Sequence, residues 1–195
     1  MPKGEYSGQP DECWIALKQG DSAAFEHIYR THVHSLYRYG LSIWADEDAV
    51  LDAIHDVFTE VWHKRDRISY TDNVKFYLLK ALKNRLIRLI DTAGRMQEIS
   101  LSTLLIDPAS LSTEQDEEAL RQQTKVSDCL RELPPRQQEI VRLRFYENLS
   151  HQQIADLLNI QPQSAKNLLF RAIDTLRKAF CQTAASLLML FFGSY

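Results

Sequence analysis

The sequence predicts an all-α fold of two small helical domains joined by a flexible linker, the C-terminal one a helix-turn-helix. Three observations predict it. Glycine and proline, the residues that interrupt helices, number only six each in 195 residues. Apolar residues recur at three- and four-residue spacing through most of the chain, the period of a helix with one buried face. Between the two periodic halves, residues 97–124 have no sustained apolar face and turn acidic and Ser/Thr-containing, the composition of a linker. The expected organisation is therefore a helical domain over 10–96, the linker over 97–124, the helix-turn-helix domain over 125–180, and a hydrophobic C-terminal extension over 181–195. With 45% hydrophobic content the chain can supply a core to each domain.

In the first half, a short helix from about Glu12 to Lys18 breaks at Gly20-Asp21, and Ser22 is placed to cap the next. Phe25, Ile28, Tyr29, Val33, Leu36, Tyr37 and Tyr39 follow at helical spacing and read as core. His27, His32 and His34 lack any HExxH-type pattern, so metal binding is not expected. Asp46 to Lys64 forms the sharpest helix, with acids in its first turn and a basic pair at its end, as the helix dipole favours. Val57, Phe58 and Val61 belong to its buried stripe, while Asp52, His55, Asp56, Thr59 and Glu60 stay outside. No nucleophile or glycine-rich phosphate loop accompanies these carboxylates, which speaks against an enzyme and for a partner-binding face.

A polar connection, Arg65 to Asn73, leads into a helix from Val74 to about Thr92. There Leu79, Leu82 and Leu86 mark a buried side among Lys75, Lys80, Lys83, Arg85 and Arg88. Cations beside an exposed aromatic suit single-stranded nucleic acid, because bases stack while phosphates pair.

The second domain begins near Gln123, with Val126, Cys129, Leu130 and Leu133 as its first buried positions. Pro134-Pro135 opens a helix whose stripe is Ile140, Val141, Leu143 and Phe145, and Asn148 breaks it. Ser150 then caps a short helix, with Gln153 completing a capping box. Asn159-Ile160-Gln161 turns the chain, and Pro162 takes the first position of the last helix, expected to end near Phe180. At 100° per residue, Ala165, Leu168, Leu169, Ala172, Ile173 and Leu176 share one side. Gln163, Lys166, Asn167 and Phe170 point away, flanked by Ser164 and Arg171. Those amide, hydroxyl and cationic groups match base edges and phosphates in a major groove. Asp174, on the same outer side, would be repelled by phosphate and places the edge of the contact at about Arg171.

Formal charge is −3 overall, distributed as −2 over residues 1–98, −3 over 99–127 and +2 over 128–195. Non-specific affinity for DNA comes mainly from neutralised phosphates, so a domain at +2 would hold DNA weakly and require a partner. Three widely separated cysteines give no disulfide framework, and no apolar N-terminal run resembles a signal peptide, so a cytoplasmic setting is expected. The apolar run Ala184–Phe192 is far short of the ~20 residues a membrane-spanning helix needs. It is expected either to pack on its own domain or to make a protein contact.

Taken together, the two halves resemble a bacterial RNA polymerase sigma factor of the extracytoplasmic-function group, the minimal kind retaining regions 2 and 4 of the sigma-70 family. The residues that carry the likeness are Asp48-Ala49, Asp52 through Phe58 and Trp62; Tyr77-Leu78 and Asn84-Arg85; and Leu133-Pro134, Leu149-Ser150, Ile154-Ala155, Leu158, Ile160 and Lys166. The resemblance covers about 10–96 and 125–180. It implies no enzymatic activity and no cofactor, core RNA polymerase and promoter DNA as partners, and room for an anti-sigma factor. By the same resemblance, Asp52, His55, Asp56 and Glu60 would bind core polymerase. Lys64, Arg65, Arg67, Tyr70, Asn73, Lys80, Asn84, Arg85 and Arg88 would engage the melted −10 strand. Gln163, Ser164, Lys166, Asn167 and Arg171 would read the −35 duplex. His55 stands where the family usually has glutamine, and Gln163-Ser164-Ala165 departs from the commoner Gly-Thr-Val, so the promoter preference does not carry over. The competing expectation is a conventional helix-turn-helix regulator that binds DNA without polymerase.

Overall fold

A computed structural model describes residues 10–92 and 129–192, with side chains over 12–92 and 129–178. All regular structure among these residues is helical. The chain divides into two units, one within Met1–Ser102 and the other within Thr103–Tyr195. The expected linker over 97–124, together with Gly94 and Val126, lies outside the described residues.

The first unit contains α1 (Pro10–Lys18), α2 (Ser22–Ile43), α3 (Glu47–His63) and α4 (Val74–Thr92). α2 is the hub, packing on α1, α3 and α4. Gly20 turns the chain out of α1 with φ +89°, a conformation that costs glycine little. The cap of α2 is Asp21, not Ser22: the Asp21 carboxylate accepts from the amides of Ala23 and Ala24. One carboxylate serving two of the orphan N–H groups makes the better cap, and Ser22 becomes the first helical residue. At α3 the Asp46 carboxylate accepts from Ala49 N at 3.0 Å, with Glu47 and Asp48 in the first turn.

Val50, Ala53, Ile54, Val57, Phe58 and Val61 form the buried arc of α3, and Val74, Leu78, Leu79, Leu82 and Leu86 that of α4. The aromatic residues of α2 meet those of α3. Phe25 lies 6.0 Å from Phe58 and 5.1 Å from Trp62, and Tyr29 lies 4.8 Å from Phe58, centroid to centroid. These are edge-on and tilted geometries, which ring quadrupoles favour.

The second unit contains a helical turn ending at Arg131, then α5 (Pro135–Val141), α6 (His151–Leu158) and α7 (Pro162–Phe192). α7 continues as helix to Phe192, past the expected end near Phe180, because nothing in CQTAASLLMLFF breaks it. α5 runs into a π-helical segment, Arg142–Tyr146, in which Glu147 N bonds Arg142 O at 3.2 Å. The wider turn absorbs one extra residue and shifts the helical register. Phe145, expected in the buried stripe, is consequently turned out and 57% exposed, while Leu149 and Glu147 are buried. Cys129, Leu130 and Leu133 are buried as expected.

The tightest helix approach is at Gly40. A Cβ there would stand 2.6 Å from Val50 Cγ1, and Val50 is fully buried with a stiff β-branched side chain. Gly40→Ala is therefore expected to destabilise the chain by about 1–3 kcal/mol, despite alanine's better helix propensity. In urea unfolding, Gly40→Ala combined with Val50→Ala should lose less than the sum of the two single changes.

Candidate nucleic-acid interface

The second unit presents its polar groups from α7. Ala165, Leu169 and Ala172 are buried against α5 and α6, so the opposite arc faces solvent. Gln163, Ser164, Lys166, Asn167 and Arg171 are all exposed on the first turns of this helix. Gln163 donates to Asn167 Oδ1 at 3.1 Å, which couples two of the amides into one surface. Asp174 pairs with Lys178 at 2.8 Å, giving the carboxylate at the edge of the surface a counter-ion.

The turn before α7 is fixed by local chemistry. Ser150 Oγ accepts from Gln153 N at 3.1 Å and Gln153 Oε1 accepts from Ser150 N at 2.9 Å, the capping box expected from the sequence. Asn159 ends α6 in the left-handed region with φ +54°, a conformation asparagine tolerates better than most residues. Phe170 extends the exposed surface. It is 73% exposed, the most exposed large apolar side chain described, and stands beside Lys166 and Asn167. The helical projection already placed Phe170 on this side, but an aromatic was not read there as a ligand-facing group.

In the first unit the candidate residues fall on the loop after α3 and on α4. Arg67 is 86% exposed and Tyr70 is exposed beside it. Lys80, Asn84 and Arg88 form an exposed stripe along α4 at four-residue spacing. Three of the expected nucleic-acid residues also serve the fold. Arg65 donates to Trp62 O at 2.7 Å, with its guanidinium carbon 4.5 Å from the Trp62 ring centroid. Asn73 Oδ1 accepts from Phe76 N at 2.9 Å as the cap of α4. Arg85 is ion-paired with Asp56.

The last pair joins two groups that were expected to serve different partners. Asp56, expected outside with Asp52, His55 and Glu60 on α3, is half-buried and bonded to Arg85 on α4. Asp52, His55 and Glu60 are exposed. Glu60 pairs with Lys64, one turn on. The hydrogen bond from Lys64 holds the Glu60 carboxyl below the usual range, helped by Arg88 and Arg85. Burial raises the Tyr77 hydroxyl, and the charge of Glu60 adds to that. The acidic face of α3 and the basic face of α4 thus adjoin. Among the described residues no group of three His, Cys, Asp or Glu side chains is placed to hold a metal, and no helix is long and apolar enough to cross a membrane.

Two compact helical units, the second ending in a capped helix-turn-helix with an exposed amide and cationic face, define a DNA-binding transcription factor. Residues 123–176 match the family model described as Sigma-70, region 4. The chain is 22% identical over 160 residues to RNA polymerase sigma factor SigV of Bacillus subtilis, covering 82% of this chain and 93% of that protein. It is 25% identical over 167 residues to the ECF RNA polymerase sigma factor SigK of Mycolicibacterium vanbaalenii, covering 83% and 84%. In fold it is similar to CnrH, solved in complex with the cytosolic domain of CnrY (TM-score 0.56, 16% identity, 90% of this chain and 99% of that one). It is similar also to the sigma factor RpoE of Bartonella quintana, solved with the anti-sigma factor NepR (TM-score 0.52, 18% identity, 80% and 96%). Over residues 123–176 the chain thus matches sigma-70 region 4, and over most of its length it is similar to extracytoplasmic-function sigma factors.

Two outcomes test this geometry. Ser150→Ala should cost about 1 kcal/mol in denaturant unfolding, the usual loss for an N-cap. A double-mutant cycle on Asp56→Ala and Arg85→Ala should return a coupling of about 0.5–1 kcal/mol that shrinks in high salt, as befits a half-exposed pair.

Proposed function

We propose that this chain directs promoter-specific initiation while bound to core RNA polymerase, with α7 reading the −35 duplex and the loop after α3, together with α4, holding the melted −10 strand. The observation that carries the reading is that both units expose a cationic, hydrogen-bonding face opposite a closed apolar arc. On α7 that face comprises Gln163, Ser164, Lys166, Asn167 and Arg171. In the first unit it comprises Arg67, Tyr70, Lys80, Asn84 and Arg88. Lys64, Arg65, Asn73 and Arg85 border this second face and shape it. Core polymerase would dock on the outer side of α3, at Asp52, His55, Asp56 and Glu60.

Mechanistically, α7 would lie in a major groove, its amides addressing base edges and Lys166 and Arg171 addressing phosphate. Tyr70 would stack an extruded base while Arg67 and Lys80 neutralise the backbone, offsetting an unstacking cost of a few kcal/mol. Each contact set is small, and the chain is acidic overall at −3. Selectivity would therefore come from both units acting at once on the polymerase, where the second contact is made at high effective concentration. RpoE of Bartonella quintana was solved with an anti-sigma factor. An inhibitory protein covering either face is part of the proposal for this chain.

The test is run-off transcription with purified core polymerase on genomic fragments. The chain is expected to redirect initiation to discrete start sites. Lys166→Ala and Arg171→Ala should each reduce run-off about tenfold and flatten the salt dependence of duplex binding. Asp52→Lys should weaken polymerase binding while leaving duplex binding unchanged. Tight promoter binding by the chain alone, indifferent to polymerase, would instead establish the conventional-regulator reading.

A further inference from the structure

α1 lies distant in sequence from every residue assigned a role above, yet it reaches the loop after α3. Trp14 is fully buried, and its indole N–H donates to the carbonyl of Ser69 at 3.2 Å, across 55 positions in the chain. Its ring meets Tyr77 of α4 edge-on, with centroids 5.1 Å apart. The loop is otherwise pinned from within. The amides of Arg67 and Ile68 both bond Lys64 O, Ile68 is buried, and Asn73 caps α4.

We propose that Trp14 is a positioning residue for single-strand capture, aiming the exposed Tyr70 ring by holding the peptide next to it. The Ser69 carbonyl and the Tyr70 N–H belong to one planar peptide unit, so fixing the carbonyl direction fixes that plane and leaves fewer paths for the Tyr70 side chain. A Tyr70 ring already aimed would spend less ordering entropy when a base stacks on it. The indole N–H ties this peptide to the buried Trp14, and Tyr77 packs against the indole. The inference deepens the base-capture reading given above and rests on it.

The experiment uses the full chain bound to core polymerase. The probe is a fluorescent single-stranded oligonucleotide carrying the non-template −10 sequence of a promoter the wild-type chain serves. Trp14→Phe keeps an aromatic ring against Tyr77 while removing the N–H, along with part of the buried fused ring. It is expected to lower the melting temperature modestly and to weaken strand binding about three- to tenfold, with polymerase affinity and −35 duplex affinity unchanged. Combined with Tyr70→Ala, it should add no further loss, because its effect runs through Tyr70. Tyr77→Leu, which loosens the indole but keeps its N–H, should give the same strand-specific loss and covers the case in which Trp14→Phe does not fold.

Wild-type strand binding by Trp14→Phe, full additivity with Tyr70→Ala, or an equal loss of polymerase and duplex binding would each overturn the proposal and leave base capture standing. Undiminished strand binding by Tyr70→Ala would overturn base capture itself.

Discussion

Where α3 crosses α2, the missing side chain of Gly40 lets Val50 approach to a distance at which an added methyl would collide. That approach sets the roll of α3 about its own axis. With Val50 inward, the 3.6-residue period carries Ala53, Ile54, Val57 and Val61 inward as well, and leaves Asp52, His55 and Glu60 in solvent. Asp56 falls at the seam, where Arg85 of α4 meets it. A bulkier residue at position 40 would push α3 away or turn it, and both the acidic face and its pairing with α4 would move together. The face proposed for polymerase and the face proposed for the −10 strand thus derive from one packing constraint.

The second unit reaches an equivalent result through its turns. Asn148 and Asn159 both adopt positive φ, at +55° and +54°, and bracket α6. The capping box fixes where α6 starts, and Asn159 fixes where it stops. α7 then leaves the turn with Ala165 and Ala172 against the core, small enough for the helices to sit close. The exposed arc of α7 is what remains once that contact is made.

What the sequence disclosed follows the range of each interaction. Ser150 with Gln153 and the apolar period of α3 are settled within a few residues, and both were legible. The α2 cap was misplaced by one residue because Asp21 and Ser22 are both good caps, and only geometry ranks them. Phe145 was read as core because a regular period was assumed through Tyr146, and the π-helical turn spends one residue more. The pairing of Asp56 with Arg85 and the bond from Trp14 to Ser69 join positions 29 and 55 apart, and no local pattern announces them. The residues that face nucleic acid in the proposed reading were legible as polar positions on a period. The groups that hold those residues in place were not.

The electrostatics of the α3–α4 seam bear on why such a chain would need a partner. Cations that already have a carboxylate beside them gain less from phosphate, since the new contact must displace or share the old one. Arg85 faces Asp56, Lys64 faces Glu60, and Arg88 contributes to the field at Glu60. The cations away from the seam are Arg67 at the loop tip, highly exposed though 3.4 Å from the neighbouring Asp66 carboxylate, and Lys80 near the start of α4. Two cations and one aromatic give a weak, short-range grip suited to holding a base already extruded, and poorly suited to finding duplex DNA from solution. A body that engaged Asp56 and Glu60 on the outer side of α3 would remove their claim on Arg85 and Lys64. Docking on one face would therefore strengthen the other through charge alone, without a change of fold.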